Sequence, residues 1–223
     1  MKNNTTLLLV LLFFSLRSYE QKLKLGNYSL EAVNVSVSKT LLNGKEAVKV
    51  IKDSTVQNSD EPTFAKLTGM SFKNGIIEVK VLSRLLKSAP DYARGFIGVA
   101  FRINDSVNKF ENIYVRPVNA RVDDQLRRNH SIQYYSYPAY KFDTLRKIAP
   151  GVYESYSDME MNKWIDLRIE VKDAKARLFI NKNSQPSLIV NDLKHGAGMA
   201  GSIGLWVETG TEGFFSDLKI TKE

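Results

Sequence analysis

The chain of 223 residues contains no cysteine, and its only histidines are His130 and His195. Disulfide bonds, catalytic thiolates and zinc sites with cysteine ligands are therefore excluded. The glycines between residues 196 and 204 lack the Gly-Lys-Ser/Thr signature of a phosphate-binding loop. No internal repeat and no proline- or serine-rich linker divides the sequence. These absences favour one domain that owes its stability to a hydrophobic core.

No hydrophobic run reaches the ~20 residues that a membrane-spanning helix requires. Residues 7–14 are apolar, follow Lys2 and precede a short segment that contains small residues. This pattern predicts a secretory signal peptide over residues 1–18 and a single domain over residues 19–223. The alternatives for the apolar run are a buried N-terminal strand or an anchor. We expect an exported bacterial protein, periplasmic, at the cell surface or secreted, with no transmembrane segment in the mature chain.

The chain is basic, with a formal net charge of +8. Residues 1–18 contain Lys2 and Arg17 and no acidic residue, so their removal leaves +6. The basic residues are scattered, which is typical of a solvated surface with a basic bias. An acidic partner, such as an anionic polysaccharide or a nucleic acid, is the alternative. Because no compact Lys/Arg block or nucleic-acid motif is present, we expect no nucleic-acid partner.

Apolar and polar residues alternate strictly over residues 164–171, and similar runs follow at 176–181, 201–208 and 213–220. A period of two is the mark of a strand with one face in a core. Further strand candidates lie at 64–72, 76–82, 94–103, 111–117 and 131–137, and Asn43-Gly44 predicts a hairpin turn. Residues 118–130 and 138–163 are predicted loops, with a short helix around 143–148 or around Lys194. The fold class is therefore all-β, a two-sheet antiparallel β-sandwich.

The segments 94–102, 110–117, 164–181, 201–206 and 213–220 resemble the concanavalin A-like lectin/glucanase superfamily. Within it, the chain resembles laminin-G-like domains of exported bacterial proteins, including the 3-keto-disaccharide hydrolase domain. The resemblance covers roughly residues 64–221. It implies a jelly roll in which the concave face of one curved sheet holds a ligand, commonly a glycan.

The sequence departs from this superfamily at its catalytic motif. Glucanases of the superfamily carry Glu-x-Asp-x-Glu on one strand, and no such run is present. The retaining mechanism needs two carboxyl groups ~5.5 Å apart, and the sequence does not supply a recognisable pair. Whether the protein is an enzyme stays open. The candidate catalytic residues are Glu208, Glu111 and His130.

Laminin-G-like domains often hold calcium, so the resemblance also bears on metal binding. Oxygen ligands are offered by Asp105, Asp123, Asp124, Asp158 and Glu160, but no segment has the spacing of an EF-hand loop. We expect no cofactor and name no metal ligands.

Polar and aromatic residues share one face of the predicted central strands. The ligand-binding residues predicted from this alternation are Arg102, Asn112, Tyr114, Arg116, Gln133, Tyr135, Tyr137, Trp206 and Glu208. Aromatic rings stack on the C–H faces of sugars, and arginine, amide and carboxylate groups bond to hydroxyl groups. The alternative is an ordinary polar outer face, because tyrosine and tryptophan favour strands.

Three functional hypotheses follow. The first is an exported protein that binds an oligo- or polysaccharide on a concave sheet, with Tyr114, Tyr135 and Trp206 as stacking platforms. The second is a glycoside hydrolase or lyase of the 3-keto-disaccharide hydrolase type. The third is a protein-interaction domain that uses the same face or the 138–163 loop.

Overall fold

The computed structural model describes residues 23–223, so the predicted signal peptide lies outside the described residues. None of the helices found in residues 23–223 has the length and apolar character needed to cross a membrane.

The described chain is built mainly of strands. These are β1 (Lys24–Leu25), β2 (Tyr28–Val33), β3 (Val35–Leu42), β4 (Lys45–Lys52), β5 (Phe64–Leu67), β6 (Gly75–Leu85), β7 (Ile97–Ile103), β8 (Phe110–Val115), β9 (Ile132–Tyr137), β10 (Glu154–Ser155), β11 (Ile165–Lys172), β12 (Lys175–Ile180), β13 (Leu188–Val190), β14 (Ser202–Val207) and β15 (Thr211–Lys222). The helices are α1 (Pro117–Ala120), α2 (Gln125–Asn129) and α3 (Phe142–Ile148).

The strands form two antiparallel sheets that pack as a sandwich. The eight-stranded sheet has the order β1-β2-β5-β14-β7-β8-β9-β10. The seven-stranded sheet has the order β13-β12-β11-β6-β15-β4-β3. The predicted all-β sandwich is confirmed.

The hydrophobic core lies between the sheets and follows the alternation of the strands. Ile165, Leu167, Ile169 and Val171 of β11 are all buried, and the residues between them are partly exposed. Because side chains on a strand alternate between its two faces, each such strand contributes one apolar row to the core.

Local predictions at a turn and a helix also agree with the structure. Strands β3 and β4 pair as a hairpin whose turn, Asn43-Gly44, has positive φ at both residues. The helix predicted around residues 143–148 is α3. The segment 118–130 differs from its prediction as a loop, because it contains α2 and all but the first residue of α1.

The central strands of the eight-stranded sheet, β14, β7, β8 and β9, are buried on both faces, which the sequence pattern does not reveal. Its face directed away from the sandwich core carries Gly98, Asn112, Tyr114, Gln133, Tyr135 and Trp206, and we call this the outer face. The side chains on it are 0–2% exposed. Loops therefore cover this face as a third layer, and they create the cavity described next.

Candidate functional site

A cavity of about 230 Å³ lies over the outer face, and we call it the pocket. Its lining comes from the outer-face strands, from the loops before β5 and β7, and from α1 and α3. The lining residues are Ser59, Asp60, Tyr92, Arg94, Phe96, Tyr114, Arg116, Asn119, His130, Phe142, Arg146 and Glu208.

Two segments cover the outer face, residues 53–63 before β5 and residues 138–153 around α3, and they are tied to each other above the sheet. The backbone N–H of Phe142 donates to Asp60 Oδ2 at 2.8 Å, and Lys141 Nζ donates to Ser59 O at 3.0 Å. Trp206 Nε1 donates to the carbonyl of Glu61 at 3.2 Å, which fastens the same segment to the sheet. The mouth of the pocket is therefore held in place from both sides.

Arg116 is held rigidly at one wall of the pocket. Its Nη2 donates to the Tyr114 hydroxyl at 2.6 Å and to Gln133 Oε1 at 3.3 Å. Its Nη1 donates to the carbonyl of His130 at 2.9 Å and to Glu154 Oε1 at 3.3 Å. Four acceptors fix the plane of the guanidinium, and its side chain is only 6% exposed.

The carboxylate of Glu154 lies within ion-pair distance of three side chains, two of them cationic and one titratable. Arg116, Arg146 and His130 all approach it, and its side chain is 3% exposed. Burial lowers the pKa of His130, and the neighbouring arginines add to this effect while Glu154 opposes it. His130 is therefore largely neutral at pH 7 and can accept a proton only under acidic conditions.

Arg94 differs from the other two arginines because it bonds to backbone carbonyls. Its Nη1 donates to the carbonyls of Asp91 at 2.5 Å and Ala93 at 2.8 Å. Burial lowers the pKa of Arg94, and the nearby charges of Arg127 and Arg116 lower it further. Positive charge is thus concentrated at this side of the pocket.

Asp60 is a buried carboxyl group that titrates near neutrality. It is 2% exposed, and burial raises its pKa to about 7, with the charge of Glu208 adding to the rise. The hydrogen bond from Phe142 and the charges of Arg116 and Lys141 act in the opposite direction. A carboxyl group of this kind can donate or accept a proton at physiological pH.

Glu208 lines the pocket but is fully engaged by the protein. It pairs with Lys52, and it accepts hydrogen bonds from the backbone N–H of Asp60 at 2.9 Å and of Thr209 at 2.7 Å. The Thr209 hydroxyl bonds to it as well, at 2.7 Å. This geometry indicates that Glu208 anchors the covering segment.

Aromatic rings form the remaining walls. Tyr92 is 60% exposed at the rim, and Phe96 and Phe142 are half-buried. The sequence prediction missed the other eight lining residues, namely Ser59, Asp60, Tyr92, Arg94, Phe96, Asn119, Phe142 and Arg146. None of these residues lies within a strand, so alternation carries no signal for them.

Four of the predicted site residues line the pocket: Tyr114, Arg116, His130 and Glu208. Asn112, Gln133, Tyr135 and Trp206 lie beneath it and are 0% exposed. Tyr137 is half-buried, and its hydroxyl donates to Glu61 Oε2 at 3.0 Å. The rings of Tyr135 and Trp206 pack against Tyr114, with centroids 6.0 and 4.8 Å away. They support the floor of the pocket and are covered, which differs from the open stacking platforms that were expected.

The structure places Arg102 away from this site. Between Gly204 and Ser202 of β14, the paired segment of β7 runs from Ala100 to Ile103 and so contains one extra residue. Arg102 has φ of 54° in this bulge. A bulge interrupts strict alternation and redirects side chains. The guanidinium of Arg102 accordingly donates to the backbone carbonyls of Lys73, Asp173 and Gly196. Arg102 therefore does not lie on the outer face, where the sequence pattern had placed it among the ligand-binding residues.

Glu111 is also separated from the pocket. It shares the inner face of β8 with Ile113, and its carboxylate accepts hydrogen bonds from the Tyr134 hydroxyl at 2.7 Å and from the backbone N–H of His195 at 2.9 Å. Strand alternation places it on the side of the sheet opposite to Asn112 and Tyr114. The structure therefore does not bring Glu111 together with His130 and Glu208.

The sequence analysis also considered oxygen ligands for a calcium ion. Within residues 23–223, no group of three or more His, Cys, Asp or Glu side chains is arranged to hold a metal ion. Asp158 and Glu160, two of the oxygen ligands considered for calcium, both pair with Arg121.

Comparisons by sequence and by structure give different results. No protein-family model matches the chain, and no curated protein matches it either. Solved structures do match. Carbohydrate-binding module CBM66 from Bacillus subtilis has a TM-score of 0.52 at 11% identity and covers 84% of this chain and 95% of that one.

Two further structures match to a similar degree. A candidate glycosyl hydrolase from Parabacteroides distasonis has a TM-score of 0.51 at 12% identity, covering 85% of this chain and 94% of that one. A Bacillus subtilis protein of unknown function with a galectin-like fold has a TM-score of 0.53 at 9% identity, covering 89% and 90%. At these identities the likeness concerns the fold. The fold is therefore the concanavalin A-like jelly roll that the sequence resemblance implied.

Proposed function

We propose that this protein is an exported carbohydrate-binding jelly-roll domain that recognises its ligand in the pocket. The observation that carries the proposal is the composition of that pocket. Aromatic walls from Tyr92, Phe96 and Phe142 stand beside hydrogen-bonding groups from Arg94 and Asn119. Sugar rings need this combination, because their C–H faces pack on aromatic rings while their hydroxyl groups need donors and acceptors.

The size of the pocket limits the ligand. Its volume of about 230 Å³ lies below the ~300 Å³ at which pockets for drug-sized ligands begin. One sugar unit, at the end of a chain or as a side branch, would fill it. The rest of an oligo- or polysaccharide would extend past Tyr92 into solvent.

The structural neighbours support the same ligand class. One of them is a carbohydrate-binding module and another is a candidate glycosyl hydrolase. Fold similarity alone does not transfer a ligand, so the proposal depends on the pocket.

The decisive experiment is a glycan-array screen of the purified protein with matched variants. Phe142→Ala removes an aromatic wall, and we expect affinity for the bound glycan to fall about tenfold or more, since aromatic contacts contribute ~1 kcal/mol beyond their buried area. Tyr156→Ala is the control, because Tyr156 is 37% exposed and does not line the pocket. Equal affinity of both variants and the parent would contradict the site, and capture of proteins without any glycan would favour the protein-interaction hypothesis.

A second candidate function is cleavage of the bound sugar, and the buried Asp60 favours it. With a pKa of about 7, Asp60 could give a proton to the departing glycosidic oxygen as the bond from that oxygen to the anomeric carbon breaks. Water then forms the new bond to the anomeric carbon, and the proton that this water loses returns to the Asp60 carboxylate. Asp60→Asn would then abolish product formation, measured by mass spectrometry, and leave glycan binding intact. Absence of products from every bound glycan would leave the binding function alone.

Export is a separate part of the proposal. The signal peptide over residues 1–18 and the single domain over 19–223 are predictions from the sequence. N-terminal sequencing of protein recovered outside the cytoplasm is expected to show a mature chain that begins near residue 19. Recovery of the chain only in the cytoplasm, with Met1 retained, would contradict export.

A further inference from the structure

The charges around the pocket do not cancel. Lys52 balances Glu208, and Glu154 is shared by Arg116 and Arg146. Among the lining residues and the side chains paired with them, the four cations Lys52, Arg94, Arg116 and Arg146 face three carboxylates when Asp60 is ionised. Asp91 and Arg127, which also act on Arg94, carry opposite charges and leave this excess unchanged. The excess grows when Asp60 is protonated.

Arg94 is the source of this excess. Among residues 23–223 it forms no ion pair with a carboxylate, and its hydrogen bonds run from Nη1 to two carbonyls. The edge formed by Nε and Nη2 is therefore left for a ligand. Nearby, the Nε of Arg127 is buried without a hydrogen-bond partner in the described chain, so positive charge here is poorly compensated. Such a group in a half-enclosed site attracts an anion.

We propose that the sugar bound in the pocket carries an anionic group, a carboxylate or a sulfate ester, which pairs with the Nε–Nη2 edge of Arg94. This inference rests on the proposed carbohydrate function and narrows it to acidic saccharides. A planar guanidinium edge matches the two oxygens of such a group, and the aromatic walls hold the ring to which the group is attached.

Binding of an acidic sugar would depend on pH through two groups. Asp60 is faced by Glu208, Arg116, Lys141 and the backbone N–H of Phe142, and its ionised form repels an anion. His130 is faced by Glu154, Arg146, Arg116 and Asp124, and its protonated form attracts one. Protonation of either group strengthens binding. Because Asp60 is protonated in this range, affinity for an acidic sugar rises as the pH falls from 8 to 6, on the order of tenfold for one removed charge. Protonation of His130, whose pKa is lowered, adds to this rise at more acidic pH.

The test is calorimetric titration of the full protein with matched sugars at low salt. Methyl glucuronide and methyl glucoside differ only in the carboxylate, methyl galacturonide and methyl galactoside form a second pair, and glucose 6-sulfate tests the sulfate ester. We expect the anionic member of one pair, or the sulfated sugar, to bind at least tenfold more tightly than its neutral counterpart.

Variants of Arg94 test the residue itself. Arg94→Gln should remove that advantage in affinity, and Arg94→Lys should restore part of it. Arg168→Gln, on the seven-stranded sheet, is the control that should change nothing.

The possible results separate the two proposals. Equal affinity for the neutral and anionic sugars would overturn the acidic ligand and leave carbohydrate binding in place. Binding of inorganic sulfate or acetate as tight as that of the acidic sugars would overturn recognition of an acidic saccharide as such. Failure of every sugar to bind would overturn both proposals. A folded Arg94→Gln variant, checked by circular dichroism, that keeps the full advantage would overturn the role of Arg94.

Discussion

Two adjacent tyrosines in β9 show how much the environment of a single hydroxyl group matters. Tyr134 donates to Glu111 Oε2 at 2.7 Å and accepts from the backbone N–H of Lys194 at 2.9 Å. The hydroxyl of Tyr135 is buried close to the Asn112 amide, and neither group completes a hydrogen bond within residues 23–223. Alternation places the two rings on opposite faces of the sheet. The Tyr134 hydroxyl therefore bonds to Glu111 and Lys194 on the inner side, and the Tyr135 hydroxyl lies under the pocket.

Their phenylalanine variants should therefore differ in stability. Tyr134→Phe leaves the buried Oε2 of Glu111 without its donor, while Oε1 keeps the bond from His195, and we expect the free energy of unfolding to fall by about 1–3 kcal/mol. Tyr135→Phe removes a hydroxyl that makes no bond, and we expect a change within about 0.5 kcal/mol of zero or a small gain. Urea denaturation measures both. A loss for Tyr135→Phe as large as that for Tyr134→Phe would show that its hydroxyl has a partner in solution.

Trp206 illustrates the same point for a whole side chain. It is 0% exposed, lies 4.8 Å from the Tyr114 ring between centroids, and donates to the carbonyl of Glu61. Burial of this ring stabilises the covering loop as well as the sheet. Trp206→Ala is therefore expected to lower stability by about 3–5 kcal/mol, whereas Phe142→Ala should affect mainly binding.

At the scale of elements, the bulge in β7 connects the two sheets. It turns Arg102 so that Nε reaches the carbonyl of Lys73 at 2.9 Å, Nη1 that of Gly196 at 2.9 Å and Nη2 that of Asp173 at 2.7 Å. These acceptors lie in the turns before β6, before β12 and before β14. One buried guanidinium thus holds three connections at the same end of the sandwich.

Removal of this cation should destabilise the protein strongly. Arg102→Met keeps most of the volume but leaves three carbonyls without their donor, so we expect a loss of about 3–5 kcal/mol in the free energy of unfolding. Arg168→Met is the matched control, because Arg168 lies on an exposed face, pairs with Glu170 and should contribute less than about 1 kcal/mol. Chemical denaturation compares the two variants, and similar losses would contradict the structural role of Arg102.

The covering elements differ in kind from the strands beneath them. The segment that contains Asp60 has no strand or helix, and the segment between β9 and β10 has only the short helix α3. They are held by particular contacts, such as the bond from the Phe142 N–H to Asp60 Oδ2 and the pairing of Lys141 with Glu61. Their sequences show no period, so only the tertiary contacts reveal that they form one layer.

At the scale of the whole molecule, the buried Asp60 makes stability depend on pH. Its pKa is about 7 in the folded protein against a usual value of 3.8. Between these values the folded state binds more protons than the unfolded state, so the contribution of Asp60 to stability decreases as the pH rises from about 4 to 7. His130 acts in the opposite direction, because its lowered pKa makes stability increase as the pH rises from that pKa up to the usual value of about 6.5.

The variant Asp60→Asn isolates the first effect. The difference in unfolding free energy between this variant and the parent should change in favour of the variant from pH 4 to pH 7, by about 1.4 kcal/mol per pH unit at most, and level off above pH 8. Thermal or urea unfolding across this range measures it, with His130 unchanged in both proteins. A difference that does not vary with pH would contradict a titrating, buried Asp60.

The sequence by itself determined the sandwich, because alternation in β6, β11 and β14 is a local consequence of one strand face meeting a core. It also marked Tyr114, Arg116, His130 and Glu208, since these residues lie on or directly beside strands that form the floor of the pocket. A strand pattern specifies which face a side chain occupies.

Only the tertiary structure decided which of those faces stays open. The outer face of the eight-stranded sheet is covered by loops whose positions depend on long-range contacts, and so Trp206 and Tyr135 are buried while Tyr92, Asp60 and Arg94 border the pocket. Likewise, the bulge that redirects Arg102 depends on pairing with a strand about one hundred residues further along the chain. Local periodicity carries no record of such contacts, because they form between segments that are distant in sequence and close only after folding.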